Sequence, residues 1–258
     1  MQRTSAAGAW LVIPKPNTQA RVRLFCFPHA GGGAFEYRAW SPLMPHDVEL
    51  CAVQLPGRET RLQEPPFTRL LDLTKTLAEV LAPRLDKPFA FFGHSLGALV
   101  GFELARELRR KDYPAPIHFF ASGARAPQLP DPDPPVHHLR DREMMDEINR
   151  RYRAIPREIL ESAEMLELLL PALRADFTIN DTYAYTHEPP FDFPITCCGG
   201  IADDNTSLEH LQAWRLHTRN AFALKMFSGG HFFIRTARAP LLQTLAEQLN
   251  GKPRFAHA

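Results

Sequence analysis

The sequence predicts an α/β fold: a mostly parallel central sheet flanked by helices, with one helical insertion. Three observations carry that prediction. Short apolar runs bounded by turn residues alternate with longer helical patterns along the chain. Two of the runs, 89–93 and 117–122, are almost wholly apolar, as strands buried on both faces of a parallel sheet must be. One stretch, 127–194, breaks the rhythm and contains no convincing central strand.

In chain order, strands are predicted at 22–28, 48–55, 89–93, 117–122, 195–199 and 223–227. Between them, 70–85 places Leu70, Leu73, Leu77 and Leu81 on one helical face. The 96–111 segment starts apolar and ends Arg-Glu-Leu-Arg-Arg-Lys, basic residues that suit the negative end of a helix dipole. Two further helices are predicted at 207–219 and 240–249. The insertion opens with PQLPDPDPP at 127–135, five prolines in nine residues, which excludes both helix and central strand there. Helical patterns follow at 139–153 and 158–175. Sixty-eight residues bury too little surface to stand alone, so 127–194 is predicted to be a lid within one 1–258 domain. Ten of the 24 prolines fall in it, and those at 127–135 and 189–194 read as stiff junctions with the sheet.

Composition narrows the function classes. Thirty basic against 29 acidic residues give a net charge of +1 and no global reason to bind nucleic acid. Four cysteines in 258 residues exclude a disulfide scaffold, and each sits in an apolar run as a small buried hydrophobe. Cys197 and Cys198, adjacent on a strand, are predicted to face opposite ways and make a poor metal pair. No His–carboxylate spacing suggests a metal site. No apolar run reaches a membrane-spanning length, and the AAGAWLVI patch, soon broken by Pro14 and Pro16, is a poor secretory signal. The expected location is the cytoplasm.

The sharpest chemical signal is Gly93-His94-Ser95-Leu96-Gly97, preceded by an apolar strand and followed by a helix. That context makes G-x-S-x-G a nucleophile elbow, and the fold an α/β-hydrolase. Serine needs a base. Of eleven histidines, His231 sits after the last predicted strand behind two glycines, a loop that presents its ring at the sheet's C-terminal edge. The others read as local to the elbow or the insertion entrance, or, as with His118 and His217, as solvated or interfacial. An orienting acid is expected between nucleophile and base in the chain. Asp203 in Gly199-Gly-Ile-Ala-Asp203-Asp204 follows a strand and is favoured, with Asp204 the rival. The developing oxyanion requires two N–H donors. Leu96 supplies one at the helix start, and Ala30, in the HGGG-like His29-Ala-Gly-Gly-Gly33, the other. A phosphate-binding reading of that loop fails, because neither a Walker lysine nor G-x-G-x-x-G is present.

These motifs, with Gln54-Leu-Pro-Gly-Arg58-Glu59, the lid run Leu170-Pro-Ala-Leu-Arg-Ala-Asp-Phe177 and Ala213-Trp214, resemble the type II thioesterases of polyketide and nonribosomal peptide synthesis. Relatives of that family include the medium-chain acyl thioesterase of fatty acid synthesis. The resemblance runs over nearly the whole chain. It departs at Asp204, where many members carry proline, and at Ala154-Ile155-Pro156, where the usual lid glycine is missing. It implies Ser95 as nucleophile, His231 as base, Asp203 as orienting acid, and a lid over the site. The implied activity is hydrolysis of acyl or aminoacyl thioesters from phosphopantetheine arms, which clears stalled or misprimed synthases. The arm comes with the substrate, so no cofactor is expected, and the partners would be acyl or peptidyl carrier proteins. Carrier proteins are generally acidic, so Arg150, Arg151 and Arg153 are candidate docking residues, and Met165, Leu166, Leu169 and Leu173 candidate linings of the acyl channel. A monomer is expected. A serine esterase or lipase of the same fold, acting on small oxyesters, is the alternative; a non-catalytic binding protein is the third reading, disfavoured by the intact catalytic residue types.

Overall fold

In a computed structural model, which describes residues 9–250 apart from 154 and 156, seven strands form one sheet. They are β1 (Leu11–Val12), β2 (Val22–Phe27), β3 (Val48–Val53), β4 (Phe89–His94), β5 (His118–Ser122), β6 (Ile195–Gly200) and β7 (Phe222–Phe227), in the order β1-β3-β2-β4-β5-β6-β7. Only β1 runs antiparallel, pairing with β3. Every predicted strand is present within two residues at each end. The two-residue β1 was not anticipated, because nothing so short carries a period.

The helices are α1 (Leu70–Leu81), α2 (Leu96–Arg110), α3 (Asp141–Tyr152), α4 (Arg157–Leu160), α5 (Ala163–Asp181), α6 (Leu208–Gln212), α7 (Phe233–Thr236) and α8 (Arg238–Asn250). Alternation along the buried strands divides the core in two. Phe89, Phe91, Phe119 and Cys197 point to one face, where Leu73 and Leu77 of α1 and Val100 and Leu104 of α2 cover them. Ala90, Phe92, Phe120 and Cys198 point to the other, against Trp40, Leu241 and Leu245. The adjacent cysteines therefore do face opposite ways, and all four are buried free thiols.

Several boundaries differ from the sequence reading for local reasons. The first helix stops at Leu81 and tightens into a 3₁₀ turn at Ala82–Arg84, which carries Pro83. The helix expected at 207–219 is one α turn followed by a 3₁₀ turn, Ala213–His217. An unanticipated ten-residue 3₁₀ helix, Ala34–Leu43, buries Tyr37 and Trp40. The pattern at 158–175 is two helices, because Ser162 caps a new start by accepting the Met165 N–H, and α5 runs on to Asp181. Two histidines expected to be solvated or interfacial are buried: His118 stacks on Phe120 and meets Thr196, and His217 meets Gln128. Among the described residues, no helix is long and apolar enough to cross a membrane.

The insertion leaves after β5 and rejoins at β6. These strands are neighbours, with Phe119 opposite Ile195, and the Phe119 N–H donates to Pro194 O at 3.0 Å. Its helices have a small core of their own around Val136, Met144, Met145, Ile148, Leu173 and Phe177.

Candidate active site

Ser95 stands between β4 and α2 with φ 53 and ψ −120, a strained backbone held by its N–H bond to Ser122 O at 2.8 Å. Gly97 explains the second glycine of the motif. A Cβ there would lie 2.1 Å from Phe27 O, so α2 starts directly against the end of β2. That close crossing brings the His29–Gly33 loop to the serine.

Asp203 and His231 meet across the loops after β6 and β7. His231 Nδ1 lies 2.9 Å from Asp203 Oδ2, and both side chains are buried. Burial alone would push the Asp203 carboxyl up, but the His231 contact and the Asn205 N–H outweigh it, and the group stays ionised below the usual carboxylate range. With Asp203 ionised, Nδ1 carries the proton and Nε2 is left free to accept one. Asp204, the rival, is exposed. Ser95 and His231 line the same cavity.

The amides of the His29–Gly33 loop sort themselves by partner. The Gly31 N–H donates to Asp176 Oδ2 at 2.7 Å, and the Gly32 N–H to His29 O at 2.9 Å. Among the described residues, the Ala30 and Leu96 N–H groups have no protein acceptor. His94, inside the elbow, is fully buried between Ser122 Oγ (3.0 Å from Nδ1) and the His231 ring, and burial drives its pKa far down, keeping it neutral.

Two cavities meet at Ser95 and His231. One, of about 160 Å³, is walled by Ile148, Ile159, Leu169, Leu173, Phe177 and Phe232. The other, of about 470 Å³, is bordered by polar groups including Arg125, Gln128, Asp181, Tyr185 and Asn205. Tyr152 borders both, with its ring 5.1 Å from that of His231. Of the four expected channel residues, Leu169 and Leu173 reach the first cavity. Met165 instead faces solvent, and Leu166 packs on the insertion's core, because α5 turns only one stripe inward. The docking set needs a similar correction. The Arg151 guanidinium is buried, held by Glu147 and Pro134 O, whereas Arg153 is exposed and Arg150 is largely exposed and paired with Glu147. Arg151 is thus a structural tether of the insertion.

Sequence reasoning missed the roles of Tyr152, Asn205 and Asp176. Asn205 donates from Nδ2 to Arg151 O at 3.0 Å, joining the Asp203 loop to the end of α3. A lone Tyr at a helix end, or a lone Asn in a loop, carries no pattern. Asp176 did lie inside a quoted motif, but its partners are distant in the chain.

Strand order, elbow and loops together define a hydrolase of the α/β class. The solved structure of RedJ, the thioesterase of the prodiginine biosynthetic pathway in Streptomyces coelicolor, superposes with a TM-score of 0.82 at 35% identity, covering 89% of this chain and 86% of that one. A thioesterase-domain family model matches residues 22–252, and the chain belongs to the thioesterase family. It is 41% identical over 245 residues to the gramicidin S biosynthesis protein GrsT of Aneurinibacillus migulanus, covering 95% of each chain. It is 45% identical over 255 residues to a Brevibacillus parabrevis protein named linear gramicidin dehydrogenase LgrE, covering 97% of each. The protein is an enzyme that hydrolyses thioesters.

Proposed function

We propose that the chain releases short apolar acyl groups from the phosphopantetheine arms of acyl or peptidyl carrier proteins, clearing stalled or misprimed synthases, with Ser95, His231 and Asp203 as its catalytic triad. The observation that carries this reading is the pairing of ionised Asp203 with His231, whose ring lines the same cavity as Ser95. Relatives named for antibiotic assembly support the carrier-bound substrate. The name of LgrE suggests redox chemistry, but a nucleotide-binding G-x-G-x-x-G is absent from this sequence, and the grouping here is that of a serine hydrolase.

In this mechanism His231 Nε2 takes the Ser95 proton as Oγ attacks the thioester carbonyl. The oxyanion forms between the Ala30 and Leu96 N–H groups, whose lack of a protein acceptor suits them to a charge that exists only in the transition state. The tetrahedral intermediate expels the thiolate, which takes the proton from His231. A water, deprotonated by His231, then attacks the acyl-enzyme and regenerates Ser95. The smaller cavity takes the acyl group. At about 160 Å³ it matches the ~150 Å³ apolar cavity that holds benzene, so it suits roughly six carbon atoms. The larger, polar-bordered cavity suits the amide-rich arm. The insertion covers both and acts as the lid. The enzyme works in the cytoplasm as a monomer, with no cofactor of its own and no nucleic-acid partner, and Arg150 and Arg153 lie where an acidic carrier could dock.

The test loads a carrier protein with acyl groups of two to twelve carbons and compares release with hydrolysis of matched p-nitrophenyl esters. Preference for the carrier thioester, abolished in Ser95→Ala, is the expected result. Preference for the oxyester would give the esterase reading instead, and activity retained by Ser95→Ala would remove the triad assignment. Charge reversal at Arg150 and Arg153 is expected to slow carrier-bound substrate while sparing small thioesters.

A further inference from the structure

Two charged residues remain without a role in that chemistry, Arg58 of Gln54–Glu59 and Asp176 of the α5 run Leu170–Phe177. They are 118 positions apart, yet the structure joins them in a buried ion pair. Arg58 Nη1 lies 2.5 Å from Asp176 Oδ2, and Arg58 Nη2 lies 3.0 Å from Oδ1. Both side chains are almost fully buried. Burying two such charges is costly unless every polar atom around them is used. Here two of the three surplus hydrogen bonds go to one loop, while Arg58 Nε donates to Pro56 O at 3.3 Å. Asp176 Oδ2 accepts the Gly31 N–H at 2.7 Å, and Arg58 Nη1 donates to Gly32 O at 3.1 Å.

The rest of the Gln54–Glu59 segment grips the same loop further along. Gln54 Oε1 accepts the Ala34 N–H at 3.3 Å, and its Nε2 donates to Arg58 O at 3.0 Å. The Glu59 carboxylate accepts the Phe35 N–H at 3.1 Å. On the α5 side, Leu173, one turn before Asp176, seats against Gly31. That residue has φ +73, and a Cβ on it would fall 2.8 Å from Leu173 Cδ1. The loop is therefore held from two directions, by a sheet loop and by an insertion helix.

We propose that Asp176 and Arg58 are positioning residues for the oxyanion hole, and that through them the placement of lid helix α5 sets the Ala30 N–H donor. By taking the Gly31 N–H and Gly32 O, the pair fixes the peptide planes on the C-terminal side of Ala30 and leaves the N–H of Ala30 itself uncommitted. When α5 shifts, Asp176 shifts with it, and the donor loses its aim. Hydrolysis then runs at full rate only with the lid helix seated. The inference rests on Ser95 and Ala30 acting as proposed above.

The experiment compares full-length wild type, Asp176→Asn and Arg58→Lys. A short acyl-pantetheine is the substrate. The matching trifluoromethyl ketone is the probe, because its adduct with Ser95 carries an oxyanion. Active sites are counted by fluorophosphonate titration, so that a loss of folded protein is not read as a loss of rate. The expected result is a kcat per titrated site lower by ~10–100-fold, KM within about threefold of wild type, and ketone affinity lost in proportion to kcat/KM. In wild type, the Gly31 amide should exchange with solvent as slowly as the β4 amides. A kcat per site within twofold of wild type in the variants that fold, or substrate and ketone binding weakened equally, would overturn the inference. If neither variant folds, rapid Gly31 exchange in wild type would overturn it. Wild type that the ketone does not inhibit would instead point to failure of the Ser95 reading itself.

Discussion

Ile148→Ala tests whether the apolar cavity measures the acyl chain. Ile148 is 3% exposed, lies on α3 and forms part of the cavity wall. Comparing the cavity's about 160 Å³ with the ~150 Å³ that holds benzene assigns roughly 25 Å³ to each carbon. Truncation to alanine removes three carbons, opening roughly 75 Å³ and room for about three more on the substrate. At ~0.8 kcal/mol per buried methylene, that is worth about 2 kcal/mol, or roughly 30-fold in kcat/KM for the longer chain relative to the shorter. Folding stability should fall by about 2–4 kcal/mol, since the space is left unfilled in the free enzyme. The assay is kcat/KM across a ladder of acyl-pantetheines, with urea unfolding alongside. An optimum that stays at the same chain length while all rates fall together would refute the assignment of this cavity to the acyl group.

Asp203→Asn should lower kcat by ~10⁴ with KM little changed, because the amide no longer holds the Nδ1–H tautomer; single-turnover acylation measures it. Gly97→Ala should fail to give folded enzyme, as a Cβ 2.1 Å from a backbone oxygen has nowhere to go, and circular dichroism with soluble yield reads this out. The four cysteines should resist a thiol reagent until the chain unfolds, since burial pushes the Cys51 and Cys198 thiols up to about 12 and raises those of Cys26 and Cys197 well above the usual thiol value. Glu36 gives a pH signature. Burial would raise its carboxyl, but contacts from His29 and Arg235 outweigh that and lower it to about 2 in the folded state. A lowered folded pKa adds stability that is complete above the unfolded value near 4.5 and fades as pH falls toward 2. Arg235→Ala should therefore cost about 1 kcal/mol at pH 7 and less at pH 3, by urea unfolding.

The sheet, and the convergence of the loops that carry Ser95, Asp203 and His231, were legible because their signals are local. Gly93–Gly97 follows its strand directly, and the apolar runs declare burial within five or six residues. What was not legible depended on chain-distant partners or on one turn's capping. Arg58 and Asp176 carry no spacing that announces a contact, so each motif could be marked but not joined. The break at Ser162 hung on one hydroxyl accepting one N–H. Arg151, a candidate docking residue by its place in a cation run, is taken inside by its contacts with Glu147 and Pro134 O, which no local pattern announces.

The insertion leaves from and returns to neighbouring parallel strands, with the Phe119–Pro194 bond closing its base. In engineering terms it is a cassette. Residues 127–194 could be exchanged for a relative's to change which acyl group is accepted, while β4, β6 and β7 keep the reactive groups in register. The exchange has one mandatory fitting: the incoming helix must present an aspartate to Arg58. A graft that matches every apolar wall but omits that carboxylate would bind the new acyl chain and release it slowly.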